Sequence, residues 1–249
     1  MALRMRTAVG IGLLTALALS FGAAARAAPP SGGDISGVWV LMGYRSTSLP
    51  AAQRIPQTIE GGTPPMLPWA EKLYKQRWAD SDNGKPFAGP STACLPNGMP
   101  LMMMGASYPI QVLQTPGQIT LLFEELHLHR MIYLNEKHPA DVEPGFLGHS
   151  VGHWEGDTLV VDTVGLTERT LIDFTGMPHS ADLHLIEHIR KTDPQTLEDL
   201  ITVDDPKTFS KPWTTRMRYR ASSERLQEYF CDNNRNTPSS DNLASFKLR

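Results

Sequence analysis

FLGHSVGHW at positions 146–154, EGD at 155–157 and TLVVDTV at 158–164 read as two strands joined by a tight turn. Both flanks are rich in β-branched and aromatic residues, and Gly156 sits in a linker too short for anything but a hairpin. The same grammar recurs on either side. Upstream, residues 108–115 and 118–124 flank Thr115-Pro116-Gly117-Gln118, with Pro and Gly at the central positions of a type II turn. Downstream, 182–191 and 197–203 flank Asp193-Pro194-Gln195-Thr196, and 212–220 with 225–231 form a last expected hairpin. Residues 35–42, ISGVWVLM, supply a first strand with Trp39 as a core anchor. Consecutive hairpins at this spacing predict a mostly β, antiparallel meander that closes into a barrel or a strongly curved sheet.

The first long connection interrupts this pattern. Pro68 at a first-turn position, and Ala70, Tyr74 and Trp78 at helical spacing, predict one short amphipathic helix that ends before Asn83-Gly84. Met99 and the run Leu101-Met102-Met103-Met104 fit gap-filling of an irregular segment, or an adaptable ligand surface.

The N-terminus has a different character. Arg4 and Arg6 precede an apolar run over residues 8–19, followed by small residues up to Ala25-Arg26-Ala27. That is the pattern of a signal peptide over residues 1–27, with residues 28–249 forming a single β-barrel-like domain and 232–249 a loose tail. The apolar run is shorter than the roughly 20 residues a spanning helix needs, so no stable membrane insertion is expected. A periplasmic or secreted location follows from the leader. Of the 23 basic residues that face 26 acidic ones, three lie in the leader, so the mature chain is near −6. With no basic stripe evident, nucleic acid and anionic membrane surfaces are poor partners, and a small-molecule ligand or substrate is the expected one. Composition says nothing of oligomeric state. Cys94 and Cys231 are the only two cysteines, and an even count in an exported chain favours a disulfide over metal or nucleophile roles.

The segment Gly148-His-Ser-Val-Gly-His-Trp-Glu-Gly-Asp-Thr-Leu-Val-Val-Asp-Thr163, together with Cys94-Leu-Pro-Asn-Gly-Met-Pro100 and Pro178-His-Ser-Ala-Asp-Leu-His184, resembles an uncharacterised family of exported bacterial proteins. The resemblance runs from about residue 35 to 234 and implies no particular reaction. Position 153 departs from the pattern, with His where the resemblance implies Arg. Gly37-Val38-Trp39 is similar, more loosely, to the Gly-x-Trp opening of lipocalin-like (calycin) barrels, which implies that architecture here.

The eight histidines concentrate between 127 and 188. On a strand, His127 and His129 would share a face about 6.5–7 Å apart, within reach of one zinc or copper ion, or would simply be the wet side of a half-buried strand. His149 shares a face with Val151 and His153, opposite the one cleared by Gly148 and Gly152. Asp162 stands in an otherwise apolar run, where a carboxylate must be paired or hold its proton. Asp173 and His179 fall in a Gly/Pro-containing connection long enough to lie over a barrel mouth. His184 shares a face with His188, while Glu187 shares the other with Leu183, Leu185 and Ile189. No Gly-x-Ser-x-Gly elbow, phosphate loop or His-Glu-x-x-His helix is present.

Carboxylates beside imidazoles are the usual equipment for moving a proton at neutral pH, and also the usual way to satisfy a core histidine. The first expectation is an isomerase, lyase or hydratase type of enzyme. It would use His149, Asp162, His179 and His184 in one cavity, with Asp173 and Glu187 as supporting acid/base partners and without an organic cofactor. A non-catalytic ligand-binding barrel, a His-ligated zinc or copper protein and a structural envelope component are the alternatives.

Overall fold

The computed structural model describes residues 32–43, 56–85, 89–105, 108–229 and 231. The expected signal peptide and the whole of the expected loose tail lie outside the described residues. Nine strands form a closed barrel in chain order. They are β1 (Gly37–Leu41), β2 (Ile110–Thr115), β3 (Gln118–Phe123), β4 (His129–Leu134), β5 (His149–Glu155), β6 (Thr158–Val164), β7 (His184–Asp193), β8 (Thr196–Asp204) and β9 (Trp213–Ser222). The molecule is thus mostly β, a mixed barrel of lipocalin-like kind, with α1 (Pro68–Asp82) and the single turn α2 (Leu101–Met104) in the first long connection.

Local chemistry explains the hairpins. Thr115 pairs with Gln118 across the Pro116-Gly117 turn, where Gly117 has φ of 84°, as the third position of a type II turn requires. Glu155 pairs with Thr158 around Gly156. In α1, Pro68 occupies the first turn, Ala70 and Tyr74 are buried, and Trp78 meets Tyr74 edge to face with centroids 4.5 Å apart.

Two expectations are corrected. β4 and β5 pair in parallel, Ile132 with Ser150 and Leu134 with Gly152, so the meander is not antiparallel throughout. A parallel neighbour needs a crossover of a dozen or more residues, and residues 135–148 supply one. The expected last hairpin does not form either: residues 225–229 and 231 are not in a strand. β9 turns its free edge to β1 instead, Arg220 facing Val40 and Tyr219 facing Leu41, which closes the barrel and removes the edge a tenth strand would need.

Alternation fills the interior. Trp39, Leu121, Val161, Leu185, Ile201 and Tyr219 point inward and are all but fully buried. Trp39 donates its ring N–H to the carbonyl of Ile35 at 3.0 Å. Met99, Met102 and Met103 join the same core, and the Tyr219 hydroxyl donates to the Met103 carbonyl, so the methionine segment plugs the barrel. The cavity bounded by Ile35, Trp39, Met103, Ile110, Leu197 and Tyr219 measures about 10 Å³, roughly room for one water and too small for an organic ligand.

Candidate functional site

Register decides where each candidate points. Val151 faces Asp162, which faces Ile186, and Gly152 faces Val161, which faces Glu187. Val161 and Glu187 are wholly buried, so the row through Asp162 is the outer one. His149 and His184 stand two residues from Val151 and Ile186 and share that outer side. Three candidates therefore meet on the exterior of the barrel, over β5, β6 and β7.

A fourth residue completes the group. His138, in the crossover 135–148, places Nδ1 2.9 Å from His149 Nδ1 and Nε2 3.1 Å from Asp162 Oδ1. The same Oδ1 lies 2.8 Å from His184 Nε2. A carboxylate only accepts, so both Nε2 atoms donate to Asp162. His138 Nδ1 is then an acceptor, His149 Nδ1–H donates to it, and His149 Nε2 is left with its lone pair. The result is one continuous hydrogen-bonded chain, His149 to His138 to Asp162 to His184. The Tyr133 ring stacks on His149 with centroids 5.3 Å apart and 20° between planes, fixing the imidazole's orientation. Partial burial, then repulsion from His138 whenever that ring is itself protonated, hold His149 below its ordinary value of 6.5, while Glu136 opposes them. The neutral, proton-accepting form is therefore the one favoured near pH 7. Asp162 is not the buried carboxylate expected from its apolar run; its side chain is 42% exposed, because its valine neighbours at 160 and 164 share the outer face and only Leu159, Val161 and Thr163 turn in.

The other three candidates lie elsewhere: His179 is apart from the three residues it was expected to share a cavity with, and neither Asp173 nor Glu187 supports them. Glu187 is inside the barrel, where its Oε1 accepts from Arg130 Nη1 at 2.9 Å and its Oε2 from Arg130 Nη2. Arg130 also donates to Ser150 Oγ at 3.0 Å and Thr163 Oγ1 at 2.8 Å. Beside them Asp199 is fully buried and neither carboxylate oxygen has a hydrogen-bond partner among the described residues. Burial first, then the Glu187 charge, push its carboxyl upward and favour its protonated form. The interior thus groups one guanidinium with two buried carboxyl groups.

Asp173 is buried beneath α1. It accepts from the Tyr74 hydroxyl, from Thr175 Oγ1 at 2.8 Å, and from the backbone N–H groups of Thr175 and Met177 at 3.0 and 2.9 Å. Those bonds shape the 171–180 connection and dock the helix on it. His179 donates Nδ1–H to the Ser180 carbonyl at 2.9 Å, and its Nε2 lies 2.6 Å from Thr170 Oγ1. Both nitrogens are occupied, and burial lowers its affinity for a proton. It is a satisfied internal histidine.

His127 and His129 do not share a strand face. His127 ends a 3-10 helical turn, Glu125–His127, with φ of 50°, and its Nε2 accepts the Tyr229 N–H at 2.9 Å, whereas His129 opens β4. Among the described residues no three His, Cys, Asp or Glu groups converge on a position for a metal ion. His153 is exposed and pairs with Glu155 at 3.0 Å.

Sequence reading missed His138, Arg130 and Asp199. His138 sits in the polar stretch Asn135-Glu-Lys-His-Pro, which carries no periodic signal, and only the parallel β4–β5 pairing folds that stretch back over β5. Asp199 does carry a legible signal, an acid in phase with Leu197 and Ile201. Cys94 and Cys231 are bonded to each other. No family model matches the chain, and neither the curated proteins nor the solved structures include one that matches it significantly.

Proposed function

We propose that this chain is an exported enzyme that moves a proton on a small, partly apolar substrate, of isomerase, lyase or hydratase type and without an organic cofactor. The hydrogen-bonded chain from His149 through His138 and Asp162 to His184 carries the reading. His149 Nε2 is the base. As it takes up a proton, positive charge develops on a ring whose Nδ1–H is held by His138, and His138 is in turn held by the Asp162 carboxylate, which stabilises the imidazolium. His184 supplies a second imidazole on the same carboxylate, suited to returning the proton. Exposed Met131 and the Tyr133 ring border His149 on the outer face of β4 and offer apolar contact to a substrate. The Cys94–Cys231 disulfide supports work in an oxidising compartment. The apolar cavity lined by Ile35, Trp39, Met103 and Tyr219 is too small to hold an organic ligand.

A nitro-substituted benzisoxazole, whose ring opens with a change in absorbance when a base removes its C–H proton, tests the base without knowledge of the natural substrate. The expected result is saturable turnover that falls at least about tenfold in His149→Ala and in Asp162→Asn, with melting temperature little changed. Turnover no faster than free imidazole at equal concentration, or unchanged in both variants, would refute the assignment.

A further inference from the structure

The outer wall formed by β7, β8 and β9 gathers four arginines although the whole chain is formally −3. Residues 215–220 read Thr-Arg-Met-Arg-Tyr-Arg, and strand alternation turns Thr215 and Tyr219 into the core and Arg216, Arg218 and Arg220 outward, at intervals of about 6.5–7 Å. Arg190 joins them through the row Arg190, Glu198, Arg218. Glu198 Oε2 receives Arg218 Nε at 3.2 Å and Arg216 Nε at 3.3 Å, and its Oε1 lies 3.5 Å from Arg190 Nη2. The Glu198 side chain is 6% exposed, whereas Arg190, Arg216 and Arg218 are 48%, 47% and 55% exposed. One carboxylate thus holds Arg216 and Arg218 by the Nε at the base of the fork and Arg190 by one terminal nitrogen, while all three side chains stay about half exposed. Arg220 has no acidic partner among the described residues. Of the remaining acids on these strands, Glu187 and Asp199 point inward and Asp204 ends β8 away from the arginines, while Asp193 stands in the row Asp193, Thr196, Arg220 with Thr196 between it and Arg220.

Two exposed apolar side chains flank the stripe. Met42 follows β1 with its N–H bonded to the Arg218 carbonyl at 2.7 Å, and Ile59 is bonded in the same way to the Thr214 carbonyl at 2.9 Å. Their exposures are 47% and 45%. Isolated exposed apolar residues are ordinary. Beside four outward guanidiniums they complete the pairing of basic and apolar groups by which proteins settle on anionic bilayers without crossing them.

We propose that the β9 wall docks on an anionic phospholipid surface, with the arginine forks on lipid phosphates and Met42 and Ile59 directed toward the acyl boundary. Guanidinium geometry matches phosphate oxygens in bidentate fashion, and weak hydration of the guanidinium eases its transfer to an interface. This corrects the expectation from composition that the chain lacks a basic stripe: the charges are few, but alternation gathers them on one face. Arg190 lies six residues along β7 from His184, about 20 Å away, so docking leaves the proton-transfer cluster free.

Co-flotation of the purified protein with vesicles tests the proposal. Phosphatidylcholine vesicles containing phosphatidylglycerol should carry the protein at low salt and release it as salt rises, and pure phosphatidylcholine vesicles should not carry it. The Arg216→Gln/Arg218→Gln/Arg220→Gln variant should lose binding, and Arg220→Gln alone, which breaks no ion pair, should weaken it about fivefold. The single variant keeps the test decisive if the triple variant fails to melt cooperatively. Failure of the protein to float with the anionic vesicles, or equal flotation of Arg220→Gln and the unaltered protein, overturns the proposal. Full release by inorganic phosphate, at an ionic strength where chloride does not release the protein, also overturns it, because the wall would then be a discrete phosphate site.

Discussion

At His179 both ring nitrogens are engaged by neighbours that suit the neutral imidazole, and burial adds to the cost of charging it. Its folded affinity for a proton is therefore below the ordinary value of 6.5, and His149 is shifted in the same direction. Between that folded value and 6.5 the unfolded chain binds more protons than the folded one, so stability is fully present above about pH 6.5 and declines as pH falls below it. Glu125 works in the opposite sense. Burial raises its carboxyl to about 6, so what it contributes is present at low pH and is lost as pH rises from 4.5 through 6. Because the two opposing slopes overlap, the informative measurement is a comparison. Melting temperatures of the unaltered protein and His179→Gln across pH 5 to 8 should differ most at high pH and converge on acidification. A constant difference across the series would mean that His179 is not held neutral. In the interior cluster of Arg130, Glu187 and Asp199, burial and the neighbouring Glu187 charge likewise raise the Asp199 carboxyl, because ionising a second buried carboxyl beside one guanidinium is costly.

The element that makes the candidate site is the crossover 135–148. It leaves β4 at Asn135, whose N–H reaches the Gly152 carbonyl at 2.7 Å, and re-enters the sheet at Gly148. Gly148 has φ of 64°, and a Cβ there would lie 2.6 Å from the Val164 carbonyl oxygen, so the return into β5 depends on glycine. Gly165 makes similar room for Val142, whose Cγ1 would be 2.3 Å from an added Cβ. Gly148→Ala should cost about 1–3 kcal/mol through strain and displacement of β5. Because His149 is the next residue, the same change should separate it from His138 and lower turnover of the benzisoxazole probe beyond what lost stability explains. Unaltered melting together with unaltered turnover would show that the crossover does not hold the imidazoles. The hairpins that flank this element were legible as turn chemistry, in Pro116-Gly117 and Glu155-Gly156-Asp157. The crossover was not, because alternation along β4 and β5 is the same whether the strands run parallel or antiparallel.

Over the whole molecule, Cys94 and Cys231 bridge a separation of 137 residues and join the segment after α1 to the chain beyond β9. A loop of that length restricts the unfolded state by about 4–5 kcal/mol in the chain-entropy treatment. Reduction, or Cys94→Ser, should lower the melting temperature without changing the strand signature in circular dichroism; an unchanged melt on verified reduction would contradict a stabilising role. The bridge, the strand-rich pattern, three of the four expected hairpins, the Tyr74 face of α1 and the inward Trp39 could be read from the sequence, since each rests on local spacing, turn residues or cysteine count. Even the inward placement of Glu187 was legible, in phase with Leu185 and Ile189. Only the tertiary structure decided that β9 closes on β1, that His138 joins His149, Asp162 and His184 outside the barrel, and that Asp173, His179 and Glu187 serve packing elsewhere. The physical reason is that a period of two records which residues share a face but neither the direction of the neighbouring strand nor its register. Both are set when the closed barrel buries one face of every strand at once.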